Sequence, residues 1–368
     1  VATKIKKKYF HPMNVLFSSR IDAFKRPGGD THHLLQTIDA LKTQGVMGYT
    51  QENWPAERKP DLLHHFNLNR PELGIELIRQ FPEVPLIIQA VFVDYSSVES
   101  QSESGLRRMI SRSFSPSSLE WLKEILRTLK AQRPIPSWPY LVLGHAKSVQ
   151  KLLDHSRLVI GASCSELDRI SHYYSLSEEK GVVLLPPIQP LYFEKIEAER
   201  ENKALLCVGR FEPLKNQLSL IQAVRNTDYT LTLVGKASPN HSRYYKECRR
   251  QAGGNVVFVD YLSAEELKPL YEQSAAHILP SFFETTGLST LEALACGCGA
   301  VIGNNAEVLE IFSGRAVSVD PKEVTSIQKG IESAIQEGEK NREWAESVAN
   351  PQRLGEQLFK MYKQILGQ

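Results

Sequence analysis

The second half of the chain alternates short, unbroken apolar runs with longer stretches of helical periodicity. The runs are ALLCVG (204–209), TLTLVG (230–235), NVVFVDY (255–261), AHILPS (276–281), GAVIGN (299–304) and RAVSVD (315–320). Apolar runs without polar alternation suit strands buried on both faces, and helices between them imply a parallel sheet covered on both sides. One helix opens at Ser263, which forms an S-x-x-E capping box with Glu266. The first half repeats the pattern less evenly. NVLFSS (14–19) leads into KRPGGDTHHLLQTIDAL (25–41), a Gly-Gly loop feeding a helix. VMGYT (46–50), DLLHHF (61–66), a helix near 71–81 and PLIIQAVFV (85–93) follow. After a divergent stretch, RLVIGAS (157–163) and GVVLLPP (181–187) restore the rhythm. Pro186, Pro187 and Pro190 break the chain between the halves, placing a linker near 187–200.

Length agrees with this division. A chain of 368 residues exceeds one ordinary core and fits two α/β domains. These are expected at 1–190 and 191–350, with a final helix over 351–368. No run reaches the ~18 apolar residues that span a bilayer; VPLIIQAVFV (84–93) reads as a buried strand. The lysines at the start precede no apolar h-region, so no secretory signal is expected. Five cysteines (164, 207, 248, 296 and 298) are scattered, odd in number and lack a CxxC pair. They read as small buried or half-buried residues in a reducing, cytoplasmic setting. The net charge of +2 divides into +5 over residues 1–190 and −3 over the remainder. The positive excess gathers at Lys4, Lys6, Lys7 and Lys8 and within 107–133.

Candidate chemistry concentrates in SFFETTGLSTLEALACG (281–297). Glu284 and Glu292 bracket a polar turn that opens an amphipathic helix, with Gly297 as a C′ terminator. Glu284 falls just outside the helix and Glu292 about one turn inside. A helix N-terminus attracts anions, whereas carboxylates beside it suit neighbouring hydroxyls, each accepting two hydrogen bonds. A ligand with a diphosphate between two polyols, a nucleotide sugar, meets both demands. LLCVGRFEPLKNQLSLIQAV (205–224) supplies a second element, in which Arg210 and Lys215 leave the C-terminal end of a strand, where open α/β sheets bind ligands. Standing alone, each segment is also explained as an exposed, solvated surface; together they are more specific.

Gly209-Arg210 followed by Lys215, then Glu284-x7-Glu292 within E-x-x-G-L-x-x-x-E-A, resemble the donor site of group 1 retaining glycosyltransferases with the two-domain GT-B fold. The resemblance covers nearly the whole chain and is clearest over 204–320. It implies two Rossmann-like domains facing a cleft, with the C-terminal helix crossing back to the first. It further implies that Arg210 and Lys215 neutralise the diphosphate, that Glu284 lies by the donor sugar and that Glu292 binds the ribose. The backbone around Thr286, Gly287 and Leu288 approaches the phosphate, and Gly209, Tyr261 and Ser289 complete the implied donor set. Where the family often has Gly-Phe after the first Glu, this chain has Thr285-Thr286, which leaves the donor sugar open.

In the first domain, Gly28-Gly29 follows the first strand and precedes a helix, so bare backbone N–H groups there can approach a phosphate or acceptor. Of His32 and His33, one is expected to face the cleft and the other the surface; His32 is taken as the cleft residue. His64 and His65 end a strand with their rings on opposite sides, and no carboxylate or Cys cluster accompanies them as a metal site would require. The absence of a D-x-D triplet argues against a metal-chelated diphosphate, so no metal and no cofactor are expected, with Arg210 and Lys215 as the charge clamp. Many relatives carry a His after the strand matching 85–93; here Asp94 is the polar residue placed to enter the cleft. Capping the next turn is an equal reading for it. Segment 105–140 mixes Arg107, Arg108, Arg112, Lys123, Arg127, Lys130 and Arg133 with Met109, Ile110, Phe114, Trp121 and Trp138. Such interleaving suits an anionic membrane surface, and equally a packed helix with a basic solvated face; no motif supports nucleic acid.

The expected protein is therefore a retaining, metal-independent glycosyltransferase. It would use a UDP-sugar or related donor and a glycan or lipid-linked acceptor, in surface polysaccharide or lipopolysaccharide synthesis. Its expected place is the cytoplasm, with peripheral attachment to the inner face of the membrane in view. Two rivals stand beside it. A retaining glycosidase needs carboxyl groups ~5–5.5 Å apart, whereas eight residues of helix span ~12 Å. A sugar-nucleotide epimerase, or a catalytically silent nucleotide-sugar binding protein of this fold, would use the same donor site.

Overall fold

A computed structural model of the protein describes residues 12–25, 28–55, 57–93, 138–237, 241–336 and 341–368. The first sheet consists of β1 (Asn14–Ser18), β2 (Met47–Thr50), β3 (Leu62–Phe66), β4 (Leu86–Gln89), β5 (Ser156–Gly161) and β6 (Gly181–Val183). Its helices are α1 (Gly29–Lys42), α2 (Glu72–Gln80), α3 (Trp138–Leu143), α4 (His145–His155) and α5 (Cys164–Tyr173). In the second sheet lie β7 (Glu201–Val208), β8 (Thr230–Val234), β9 (Val256–Val259), β10 (Ser274–Leu279), β11 (Gly299–Ile302) and β12 (Val317–Ser318). Around it stand α6 (Gln217–Ala223), α7 (Ser242–Gln251), α8 (Ala264–Gln273), α9 (Leu288–Ala295), α10 (Ala306–Ile311) and α11 (Val324–Ile335). Helices α12 (Arg342–Ala349) and α13 (Pro351–Ile365) close the described chain.

All pairings between these strands are parallel. The orders are β2-β1-β3-β4-β5-β6 and β12-β11-β10-β7-β8-β9. Chain direction along each sheet reverses between β1 and β3 and between β7 and β10, so a crevice opens there beyond the strands' C-terminal ends. Strand alternation fills both faces of the second sheet: Leu205 and Cys207 enter one core with Leu220, Leu233 and Ile327. Leu206 enters the other with Leu291, Leu294 and Ile302. Each such side chain contributes ~1.5–3 kcal/mol by leaving water.

The last helix returns to the first domain. Leu354, Leu358 and Tyr362 share a core with Val15, Phe17, Leu34 and Leu41, and Tyr362 Oη lies 2.6 Å from His64 Nδ1. Gly355 lets α13 approach α1 closely, since a Cβ there would sit 2.4 Å from the Ala40 carbonyl oxygen. The capping box forms as expected: Ser263 Oγ accepts from Glu266 N, and Glu266 accepts from Ser263 N at 2.7 Å. Gly297, with φ +79°, ends α9, its N–H on Leu294 O at 3.0 Å while Cys298 N–H reaches Ala293 O at 2.9 Å.

Two expectations need correction. The run PLIIQAVFV forms a strand only to Gln89, because Val91 adopts φ +43° and leaves extended geometry. Cysteines 207, 248, 296 and 298 are buried, but Cys164 is exposed at the first position of α5. The segment expected as a linker is tied to the second domain. Arg342 donates to the Phe193 and Glu194 carbonyls at 2.6 and 2.5 Å, and Ile188 N–H to Ala349 O at 3.1 Å.

Candidate active site

At the reversal in the second sheet, the loops after β7 and β10 are stitched together. Phe282 N–H donates to Leu214 O at 2.9 Å. Asn216, in the left-handed region at φ +58°, donates through Nδ2 to the carbonyls of Pro280 and Pro321 at 3.1 and 2.7 Å. This bracing brings the Lys215 ammonium against the Glu284 carboxylate as an ion pair, with side chains 18% and 12% exposed. Ser281 Oγ donates to the same carboxylate oxygen at 3.0 Å. Arg210, by contrast, is 60% exposed and reaches Glu212 at 3.6 Å. Its backbone is ordered, since Gln217 Nε2 donates to its carbonyl at 2.9 Å and Gly209 N–H to Val234 O at 2.9 Å.

Helix α9 starts at this loop. Its N-cap is Gly287, at φ +71°, a conformation that disfavours any residue with a Cβ. The first-turn N–H groups of Leu288 and Ser289 have no acceptor within the helix and face its entrance. Thr285 and Thr286 are half-buried beside them. One turn further in, Glu292 accepts a 2.9 Å hydrogen bond from Tyr271 Oη. Burial pushes the Glu292 carboxyl up to about 7, and the tyrosine bond opposes that rise. Tyr261 is exposed, with the Lys236 ammonium 5.7 Å from its ring centre. Lys236 and Tyr271 escaped the sequence reading; the position of Lys236 just after β8, at a strand's C-terminal end, was the available signal.

Across the cleft, the first domain presents Gly28 as N-cap of α1. A Cβ on Gly29 would lie 3.9 Å from Leu288 Cδ1, so the N-termini of α1 and α9 face each other in near contact. The Gly-Gly loop is braced by residues that the sequence did not single out. Arg20 forks onto Asp30 at 2.8 and 3.3 Å and reaches Asp22 at 3.1 Å. Asn67 Nδ2 donates to Asp30 at 3.0 Å. Burial raises the Asp30 pKa, but Arg20 together with the Asn67 and Thr31 hydrogen bonds outweighs it and leaves the pKa lowered. His32 is half-buried, and burial lowers its pKa against the pull of Asp30. His33 is not the surface residue expected of that pair. It is buried edge-on against Phe66, 5.2 Å between ring centres, because the inward face of α1 includes it with Leu34 and Thr37.

His64 and His65 point apart as expected, His64 to Tyr362 and His65 Nδ1 to Ser18 Oγ at 2.8 Å. The turn after β4 is clamped from two sides. Phe92 N–H donates to buried Glu166 at 2.6 Å, and Val93 N–H to Asn69 Oδ1 at 2.7 Å. Asp94 and the basic segment up to residue 137 lie outside the described residues, as do Lys4, Lys6, Lys7 and Lys8. Of that segment's end, Trp138 is exposed and Tyr140 buried. Among the described residues no helix is long and apolar enough to cross a membrane.

Residues 189–350 match the family described as glycosyl transferases group 1. The chain is 26% identical over 209 residues to O-antigen chain mannosyltransferase B of Escherichia coli, covering 52% of this chain and 55% of that one. It is also 26% identical over 181 residues to O-antigen chain mannosyltransferase RfbU of Salmonella typhimurium, covering 48% and 51%. The matches thus span about half the length of these curated relatives. Among solved structures, sucrose-phosphate synthase from Thermosynechococcus elongatus superposes with a TM-score of 0.72 at 17% identity, over 96% of this chain and 99% of that one. WaaG, a glycosyltransferase involved in lipopolysaccharide biosynthesis, superposes at 0.59 with 15% identity, over 96% and 100%. The architecture is accordingly GT-B.

Proposed function

We propose that the protein moves a sugar from a nucleoside diphosphate sugar to a saccharide or lipid-linked acceptor, a reading supported by the match of residues 189–350 to the group 1 glycosyl transferases. Surface polysaccharide of the O-antigen or lipopolysaccharide type is the destination that its relatives' names suggest. One observation carries the reading: two helix N-termini, one from each domain, meet at Gly29 and Leu288, with Lys215 paired to Glu284 in the loop that leads into α9. Converging helix dipoles and bare N–H groups favour an anion held between the domains. A diphosphate there directs one end of the donor to Glu292 and the other to Glu284.

In the transfer, the bond from the anomeric carbon to the diphosphate oxygen breaks, and its electron pair leaves with the diphosphate. The acceptor oxygen bonds to the same face of the sugar, and its proton passes to the departing diphosphate. Arg210, Lys215 and the Leu288 and Ser289 amides stabilise the developing charge without reorganising, a contribution of several kcal/mol where water is excluded. Lys215 is paired with Glu284, so each charge has a partner within the protein. With this clamp the reaction needs no divalent cation. Contact of segment 105–140 with an anionic membrane is part of the same proposal.

Calorimetric titration with UDP, GDP, UDP-glucose and GDP-mannose, followed by assay of nucleoside diphosphate release and of the product's anomeric configuration, tests the reading. Nanomolar to micromolar binding of one nucleotide, retention of configuration and full rate in EDTA are expected. Binding of none of the four overturns the donor assignment. Loss of activity in EDTA with recovery on Mg²⁺ overturns the metal-free clamp. Release of a simple glycoside's sugar without nucleotide restores the glycosidase.

A further inference from the structure

Glu284 is oriented by more than Lys215. The side-chain amide of Asn305 pairs with both backbone groups of residue 284: its Oδ1 accepts from Glu284 N–H at 3.3 Å, and its Nδ2 donates to Glu284 O at 2.8 Å. The same Nδ2 donates to Glu307 Oε2 at 2.6 Å. The other oxygen of Glu307 is ion-paired with Arg169, which belongs to α5 of the first domain. These two side chains are only 14% and 5% exposed. Arg169 closes a second path to the same place, since its guanidinium lies 4.8 Å from the ring centre of Phe283, the residue before Glu284. Nearby, Glu310 accepts from Cys164 N–H, Ser165 N–H and Ser165 Oγ at 2.7, 2.9 and 2.7 Å, fastening the second domain to the start of α5.

We propose that Arg169, Glu307 and Asn305 are positioning residues that set the Glu284 loop only while the two domains are docked through α5. A charged pair this enclosed has a strong orientational preference, and removing one member leaves the other buried and uncompensated. An amide bonded to both backbone groups of one residue fixes the direction of its side chain. Docking of α5 therefore holds Phe283 from one side and, through Glu307 and Asn305, Glu284 from the other. Separation of the domains would release both restraints at once and leave the donor carboxylate unaimed. The same α5 carries Glu166, which holds Phe92 N–H at 2.6 Å and Ala162 N–H at 2.7 Å. One helix thus braces the turn after β4 on its own side of the cleft and the sugar-side loop on the other.

The coupling to turnover rests on the proposed transfer activity, but the positioning itself does not, and the test separates them. Hydrogen exchange of the full-length protein is measured across residues 281–286 in wild type, Arg169→Met, Arg169→Lys and the double variant Arg169→Met/Glu307→Gln. The double variant removes both buried charges together, so it keeps the fold if the single variant does not. Exchange in 281–286 should quicken on the order of tenfold in Arg169→Met and in the double variant, and stay near wild type in Arg169→Lys. Unchanged exchange in the double variant overturns the proposal. Nucleotide release from UDP-glucose and GDP-mannose forms the second arm. There kcat should fall about tenfold in the double variant with the donor KM within about twofold, the pattern of a lost transition-state orientation. A parallel rise in KM with kcat unchanged also overturns it. Faster exchange in the variants together with a wild type that turns over neither donor refutes the transfer reading alone.

Discussion

The two domains share a parallel six-stranded sheet but build their half of the cleft differently. In the second, the main candidate donor residues follow or lie within regular elements: Arg210 and Lys215 after β7, Glu284 after β10, Glu292 within α9. In the first, the corresponding surfaces are a Gly-Gly loop braced by Arg20 and Asp30, and a turn after β4 that includes Val91 in the left-handed region. Under the proposed transfer, the difference follows from the ligands that each side would meet. Diphosphate and ribose are the same in every donor of the class and can be read by helix ends and fixed carboxylates. An acceptor varies, and its half of the cleft departs from regular geometry.

Removing the charge clamp tests that contrast most severely. Lys215→Ala should lower transfer about 100-fold, or ~3 kcal/mol, since its ammonium is enclosed and aimed by Glu284. Arg210→Ala should cost closer to tenfold, because a 60% exposed guanidinium is screened by water. Steady-state kinetics on purified, folded variants decide. If both retain near-normal turnover while Arg20→Ala abolishes it, the phosphate clamp belongs to the first domain.

Within the second domain, the two glutamates should separate. Glu284→Gln should lower kcat more than it raises the donor KM, by about 10- to 100-fold, because the proposed donor pose puts Glu284 beside the transferred sugar. Glu292→Gln should mainly raise KM, about tenfold, because in the proposed pose it holds the ribose, whose contacts are alike in ground and transition states. Collapse of kcat at unchanged KM in Glu292→Gln would show the roles to be exchanged.

These expectations rest on what the chain made legible, and the limits have physical causes. Buried parallel strands are unbroken apolar runs, so ALLCVG and AHILPS announce β7 and β10, and the crevice between them follows. Ser263 with Glu266, and Gly297 after ALAC, mark helix ends because the bonds involved are local. The pairing of Arg169 with Glu307 is not local, and nothing in either segment's composition signals it. His33 misled because a histidine in a helix gives no sign of which face is inward until Phe66 is placed against it. Val91 misled further, since a β-branched residue in an apolar run promises continued strand.

Protonation provides a subtler test of the donor half. The Glu292 carboxyl is raised by burial from 4.5 to about 7. Between those values the folded protein holds a proton that the unfolded chain has lost, so this group's contribution to stability falls as pH rises through that window. The full shift corresponds to at most about 3 kcal/mol. Glu292→Gln should therefore unfold at a higher temperature than wild type at pH 8, with the advantage fading toward pH 5. In the same protein the donor should bind more weakly if Glu292 holds the ribose as proposed, because the ionised carboxylate that strains the fold is the form able to accept two hydroxyls. Thermal unfolding at both pH values, with and without nucleotide, checks it. A variant less stable than wild type at pH 8 would show that the Tyr271 bond outweighs the burial of charge.

The smallest effect is expected at Val91, and it bears on the first domain alone. A β-branched residue at φ +43° costs on the order of 1–2 kcal/mol relative to a permitted conformation. The neighbouring backbone enforces it, with Phe92 N–H on Glu166 and Val93 N–H on Asn69. Val91→Gly removes the steric conflict but restores freedom to the unfolded chain, an opposing cost of about 0.5–1 kcal/mol. The net gain should thus be ~0.5–1 kcal/mol, a rise of a few degrees in unfolding temperature. If the turn is strained in order to aim the chain toward the acceptor, that gain should come with a loss of transfer and an unchanged affinity for nucleotide. Calorimetry of nucleotide binding, unfolding temperature and acceptor-dependent turnover measured together separate the outcomes. A variant more stable and equally active would mean that the strained turn is an accident of packing, and that the irregularity of the first domain has no part in recognising the acceptor.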